Sequence, residues 1–204
     1  MKRLFFGLSV DPVVGGALIR AARRSLDERD AAGIYGEEDL HLTLTFLGEF
    51  PADRVKSLIA AANYEFKALW APELLVGGEG GAFPDREHPR VLYSSVEETG
   101  ETVGRLATLR NRTQQVALSH GWRASEVDRR RTFRPHVTLA RPETAADTAE
   151  RTDFSEFWDL GAERRWLPLD ITLYESDKSP ETERAEGANR YHQLAAWPLA
   201  VRPG

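Results

Sequence analysis

A chain of 204 residues, 41% of them hydrophobic, can bury one large core or two small lobes. It has no cysteine, which excludes disulfides and thiolate chemistry, and its net charge of -5 argues against broad, non-specific binding to nucleic acid. No apolar stretch reaches the length of a membrane span. The opening Met1-Lys2-Arg3-Leu4-Phe5-Phe6-Gly7-Leu8 is broken by Ser9 and ended by Asp11-Pro12 without a small-residue cleavage site, so a cytoplasmic protein is expected.

In chain order, residues 3–10 read as a first strand. Asp11-Pro12 then opens a helix with Val14, Ala17, Leu18, Ala21, Ala22 and Leu26 at helical spacing. A loop over 31–38 leads into a strand beginning His41-Leu42-Thr43-Leu44-Thr45-Phe46-Leu47-Gly48. Pro51 marks the start of a second helix, with Val55, Leu58, Ile59, Ala62, Phe66 and Leu69 on one face. Residues 74–76 form a short strand, and Gly77-Gly78-Glu79-Gly80-Gly81 reads as a flexible loop. That run lacks the Gly-Lys-Ser/Thr ending of a phosphate-binding loop. A strand over 90–96 and a helix over 101–120 follow, with Gly121 as its stop. A second histidine strand spans 133–141, ending His136-Val137-Thr138-Leu139-Ala140-Arg141. Residues 144–158 mix loop and helix, and strands over 167–174 and 191–199 enclose a polar loop at 176–189.

The order strand, helix, His-x-Thr strand, helix occurs twice. The leading strands look alike as well, Arg3-Leu4-Phe5-Phe6 against Arg90-Val91-Leu92-Tyr93, which supports an internal duplication. Side chains two apart on a strand share a face. By strict alternation His41, Thr43 and Thr45 point one way while Leu40, Leu42 and Leu44 enter the core. His136 and Thr138 likewise share a face, with Val137 and Leu139 turned away. A two-fold-like arrangement would bring both His-Thr pairs to a shared cleft.

Two imidazoles facing one cleft suit in-line displacement at phosphorus. One, neutral, takes a proton from water, and the other, protonated, gives one to the leaving oxygen. The threonines can donate hydrogen bonds to the non-bridging oxygens. A single His-x-Thr on a strand is ordinarily a polar edge; two copies followed by leucine in matching contexts point to function. Zinc binding is the rival use of paired histidines, but neither strand has a carboxylate beside its histidine and no third histidine stands at ligand spacing. His88, His120 and His192 read as structural or solvent-exposed. Between residues 123 and 141 six arginines (123, 129, 130, 131, 134, 141) face only Glu126 and Asp128, a local +4 that leaves -9 elsewhere. That run is either a solvated loop or a set of phosphate contacts.

At these residues the chain resembles the 2H phosphoesterases, and most of all their RNA 2',3'-cyclic phosphodiesterase branch, also called LigT-like or 2'-5' RNA ligase proteins. The matching pieces run from Arg3-Leu4-Phe5-Phe6 and the His41 motif through Gly81-Ala82-Phe83-Pro84 and Pro89-Arg90-Val91-Leu92. They continue in Phe133-Arg134-Pro135-His136-Val137-Thr138-Leu139-Ala140-Arg141, Leu173-Tyr174-Glu175-Ser176, Tyr191-His192-Gln193-Leu194 and Trp197-Pro198-Leu199. One departure is the stretch 179–189, longer and more acidic than the family loop.

The resemblance implies an α+β, bilobal fold: two antiparallel sheets with flanking helices, related by a pseudo-two-fold around a central groove. The whole of 1–204 would form one domain, with halves at 1–76 and 90–160 and C-terminal strands in 167–199 completing the sheets. It implies metal-independent hydrolysis of RNA 2',3'-cyclic phosphate ends to 2'-phosphates, with weak reversible 2'-5' ligation in some members. His41 and His136 would be the catalytic pair and Thr43 and Thr138 the phosphate binders. Arg141, Arg130 and Phe46 are candidate substrate contacts, although by alternation Arg141 and Phe46 point away from the histidines and need a bulge or a strand end to reach them. No cofactor and no metal is implied; the partners would be RNA ends or small cyclic nucleotides, with no membrane and a monomeric protein. Two rivals remain: a phosphodiesterase for another small cyclic phosphate or a 2'-5' oligonucleotide, and a non-catalytic binder of RNA ends.

Overall fold

The computed structural model describes residues 1–31, 33–124, 132–142, 153–177 and 189–201. Strands β1 (Lys2–Ser9), β2 (His41–Phe50), β3 (Leu74–Phe83), β4 (Val91–Glu98), β5 (His136–Ala140), β6 (Arg164–Trp166), β7 (Asp170–Ser176) and β8 (Tyr191–Pro198) alternate with helices α1 (Pro12–Arg24), α2 (Glu28–Ala31), α3 (Val55–Glu65) and α4 (Arg105–Ser119). The strands lie in the order β6-β3-β4-β5-β2-β1-β7-β8, every neighbour antiparallel. The two expected antiparallel sheets are therefore the two four-stranded halves of one curled sheet. They meet between β2 and β5 at a single register pair, Leu42 with Val137.

One face of this sheet carries the core. Leu4, Phe6 and Leu8 of β1, Leu42 of β2, Leu92 of β4 and Val137 and Leu139 of β5 are fully buried there. Helix α1 starts as its sequence dictates: Asp11 Oδ1 accepts from the Val13 and Val14 amides at 2.9 and 3.2 Å, and Pro12 fills a first-turn position that needs no amide hydrogen. It ends at Arg24, two residues before Leu26. Helix α4 starts later than its pattern suggests. A 3-10 turn (Gly100–Thr102) and Gly104 at φ +99 interrupt the chain, and the Glu98 carboxylate of β4 caps the helix by accepting from the Gly104 and Leu106 amides at 3.0 and 2.7 Å.

The glycine run 77–81 is not a loop. It lies within β3, whose pairing to β4 skips from Val76 to Gly80 across a bulge where the buried Ser94 hydroxyl accepts from the Gly77 amide at 2.9 Å. Glycine is needed because other groups approach this backbone closely. A Cβ on Gly80 would stand 1.9 Å from the Phe157 carbonyl oxygen, and one on Gly81 would stand 2.4 Å from the Tyr93 ring. Strand β6, which pairs with β3, has no clear signal in its three residues Arg164–Trp166.

Candidate active site

The middle of the sheet holds two copies of one local device. His41 Nδ1 lies 2.7 Å from the Asp39 carbonyl oxygen and His136 Nδ1 lies 2.7 Å from the Arg134 carbonyl oxygen, in each case two residues back. A carbonyl only accepts, so Nδ1 carries the proton in both rings and Nε2 is left to accept or donate a proton. The Leu42–Val137 pair then fixes how the copies meet. Continuing that antiparallel register sets His41 beside Thr138 and Thr43 beside His136, all on the face opposite the buried Leu42 and Val137. Neither threonine hydroxyl has a hydrogen-bond partner among the described residues.

Strict alternation fails after each motif, and in the same way. On β2, Phe6 pairs with Thr45 and Gly7 with Thr43, so Leu44 is an extra residue in a bulge; on β5, Leu92 pairs with Ala140 and Tyr93 with Thr138, so Leu139 is the extra one. The expectation that Thr45 shares the face of His41 is thereby corrected. Thr45 is buried and shares a 2.7 Å hydrogen bond with Thr113 of α4. The same bulges bring Phe46 and Arg141, each five residues after its histidine, back to the histidine face. Register also shows that β1 and β4 correspond through Gly7 with Tyr93 and Ser9 with Ser95. The letter-by-letter likeness of Arg3-Leu4-Phe5-Phe6 to Arg90-Val91-Leu92-Tyr93 is one residue out of step with this.

Aromatic side chains hold the imidazoles. Around His41 stand Phe5, Tyr191 and Tyr174, with ring centroids at 4.6, 4.7 and 5.7 Å. Around His136 stand Phe83 and Tyr93 at 5.0 and 5.2 Å, themselves stacked at 4.5 Å over the bare backbone of Gly81. None of these five rings stands out by local pattern. Phe5, Phe83, Tyr174 and Tyr191 do lie in stretches that carry the family resemblance, which was the signal available.

Asp39 is a further residue that motif reading overlooks. Its carbonyl orients His41, while its buried carboxylate accepts from the Arg190 and Tyr191 amides at 2.8 and 3.3 Å and so seats Tyr191 against the imidazole. Arg141 Nε donates to the Tyr35 hydroxyl at 2.8 Å, and the Arg190 guanidinium lies 4.2 Å from the Tyr35 ring centroid. The Tyr35 and Tyr191 rings lie 6.4 Å apart between centroids, and the Tyr191 phenol is pushed up by burial and by Tyr35, against the pull of Arg141. Arg141 is thus linked through two tyrosines to His41. Phe46 is exposed, with the Arg3 guanidinium 5.1 Å from its ring centroid. Arg130 lies outside the described residues, as do Arg129 and Arg131 and most of the 176–189 loop.

Both imidazoles are held below the ordinary histidine range. Burial lowers His41 from 6.5 to about 4 against the opposing Asp39 carbonyl, and the charge of His136 lowers it further; burial lowers His136 too, opposed by the Arg134 carbonyl. Desolvation makes each neutral at pH 7 in the free protein. His88 and His192 are exposed, and His120 is tied by Nδ1 to the Val116 carbonyl at the end of α4. Among the described residues no three His, Cys, Asp or Glu side chains cluster as metal ligands would. No helix among them is long and apolar enough to cross a membrane.

Residues 10–93 match the family described as LigT like Phosphoesterase. An RNA 2',3'-cyclic phosphodiesterase of Thermus thermophilus is 30% identical over 159 residues, covering 78% of this chain and 77% of that protein. One from Geobacillus stearothermophilus is 36% identical over 105 residues, which span 52% of this chain but only 31% of the relative's length. Among solved structures, E. coli LigT complexed with 3'-AMP superposes with a TM-score of 0.67 at 25% identity, covering 97% of this chain and 98% of that one. TT0787 of Thermus thermophilus has a TM-score of 0.71 at 23% identity, with 97% of both chains covered, a likeness of fold.

Proposed function

Because the chain belongs to the LigT-like phosphoesterase family, we propose that it is an RNA 2',3'-cyclic phosphodiesterase that opens the cyclic phosphate to a 2'-phosphate. The observation that carries this reading is the pair of imidazoles, each with Nδ1 tied to a carbonyl and each beside the other motif's threonine at the centre of one sheet face. Water attacks phosphorus in line with the ribose 3' oxygen. His136 Nε2 takes the proton from that water, the bond from phosphorus to the 3' oxygen breaks, and protonated His41 Nε2 gives its proton to the departing oxygen. The products are a 2'-phosphate and a free 3'-hydroxyl. Thr43 and Thr138 donate hydrogen bonds to the non-bridging oxygens, where negative charge is held throughout.

Burial keeps His41 neutral in the free protein, so its imidazolium forms as the anionic substrate arrives and a proton is taken up on binding. A 5'-hydroxyl in place of water would give a 2'-5' linkage by the same steps. Arg141, Arg130 and Phe46 are proposed as substrate contacts. The direct test incubates the protein with 2',3'-cyclic nucleotides and short RNAs ending in a 2',3'-cyclic phosphate, and reads the product phosphate by phosphorus NMR. A 2'-phosphate product is expected. A 3'-phosphate product, or no turnover of any cyclic end, overturns the reading.

A further inference from the structure

Away from the histidines, a cavity of ≈ 390 Å³ opens between the start of α3 and the end of α4, walled by Arg54, Ser57, Ser119, His120, Gly121 and Arg123. It belongs to the helical layer. Helix α4 packs on β2 through Thr113 and Thr45, on the side of the sheet opposite His41 and Thr43. Two guanidiniums face this cavity, and no carboxylate among the described residues lines it. Among the described residues Arg54 has no carboxylate partner within 4 Å, and Arg123 has only a bond from Nη1 to the Trp122 carbonyl at 3.0 Å.

Among the described residues, the backbone around the cavity leaves the positive groups unopposed. Three carbonyls near the end of α4 are already occupied: Val116 accepts from His120 Nδ1 and the Ser119 hydroxyl, Ala117 from the His120 and Trp122 amides, and Leu118 from the Gly121 amide. At the other wall no side chain caps the first turn of α3. Gly121, at φ +90, turns the chain back and leaves the space that Arg54 Nη1 fills, 2.2 Å from where a Cβ would stand. Two like charges brought together without a counter-ion repel, and an anion between them reverses the sign of the interaction. A planar guanidinium can bind two phosphate oxygens at once.

We propose that this cavity is a second anion site, separate from the histidine groove, which takes a phosphoryl dianion between Arg54 and Arg123. The dianion is either free phosphate or the terminal monoester of an RNA 5' end. The site does not rest on the reading of the groove. The test follows backbone amide shifts of the ¹⁵N-labelled protein during titration with inorganic phosphate, with a 5'-phosphorylated trinucleotide RNA, and with the same RNA bearing a 5'-hydroxyl. Saturable shifts are expected at Arg54, Ser57, Ser119 and Gly121, distinct from any at residues 41–43 and 136–138. Arg54→Gln with Arg123→Gln, both at exposed positions, should weaken the first set by about tenfold or more and leave turnover of a cyclic nucleotide unchanged. Tighter binding of the 5'-phosphorylated RNA than of phosphate would make the strand end the ligand; equal binding would make it the free anion. The proposal is overturned if phosphate shifts only groove amides, or if the shifts near Gly121 are unaltered in the doubly substituted protein.

Discussion

At the scale of single residues, the two histidines are alike in their tether and unlike in their surroundings. Replacing either with alanine should lower turnover by about 10²–10⁴, the usual worth of a positioned acid or base, or about 3–5 kcal/mol of transition-state stabilisation. Circular dichroism should show an unchanged fold, because neither ring belongs to the buried side of the sheet. Their roles separate with the leaving group. A phosphodiester with a phenolate leaving group needs little protonation, so it should restore much of the lost rate in His41→Ala and very little in His136→Ala. Rescue of His136→Ala instead would exchange the roles.

The lowered imidazoles also set the pH dependence. The proposed proton transfer needs one ring charged and one neutral in the free enzyme, and both lie below 6.5, so kcat/KM should be bell-shaped with its maximum on the acid side of 6.5. The same shift acts on stability in a defined direction. The unfolded chain protonates His41 first, so its contribution is intact above 6.5 and is lost as pH falls from 6.5 towards about 4. His41→Asn should therefore melt with a weaker dependence on pH across that window than the parent protein. Parallel melting curves for the two would show that His41 does not titrate below its ordinary value.

At the scale of elements, the glycines of β3 and the turn before β2 make contrasting predictions. Gly80→Ala drives a methyl into the Phe157 carbonyl, which cannot swing aside as a side chain can. It should cost about 2–4 kcal/mol, read by chemical denaturation. Gly36→Ala has φ -66 and its nearest neighbour 4.0 Å away, and should change stability by no more than about 0.5 kcal/mol. Asp39→Ala leaves two backbone amides at the start of β8 without their acceptor. It should cost about 1–3 kcal/mol and loosen Tyr191 from His41, which NMR titration would register as a rise in the His41 pKa.

At the scale of the whole molecule, two four-stranded halves share one register pair, so Leu42 is both core and joint. Leu42→Ala should cost about 2–5 kcal/mol and slow turnover, since the relative placement of the two imidazoles rests on that rung. Unfolding followed by far-ultraviolet dichroism and by tryptophan fluorescence should still give one transition, because the core runs through both halves. Activity should survive prolonged dialysis against EDTA. Loss of turnover restored by one defined divalent ion would contradict proton transfer between histidines alone.

The paired His-x-Thr motifs, their leucines and the α+β order were legible in the sequence because alternation and capping are local: Leu40, Leu42 and Val137 are buried where period two puts them, and Asp11-Pro12 opens α1. What lay beyond reach was set by contacts distant in the chain. The bulges at Leu44 and Leu139 arise from pairing with β1 and β4, and they alone decide that Thr45 is core while Phe46 and Arg141 share the histidine face. The run 77–81 has the composition of a loop and the structure of a strand, because Phe157 and Tyr93 press against its backbone from elsewhere in the chain. Asp39 acts on His41 through a carbonyl that every residue possesses, so no side-chain pattern could mark it. The sequence by itself determined which groups are proposed to carry the chemistry. Tertiary structure decided which of them meet, because register and close approach are properties of pairs of segments and not of either one.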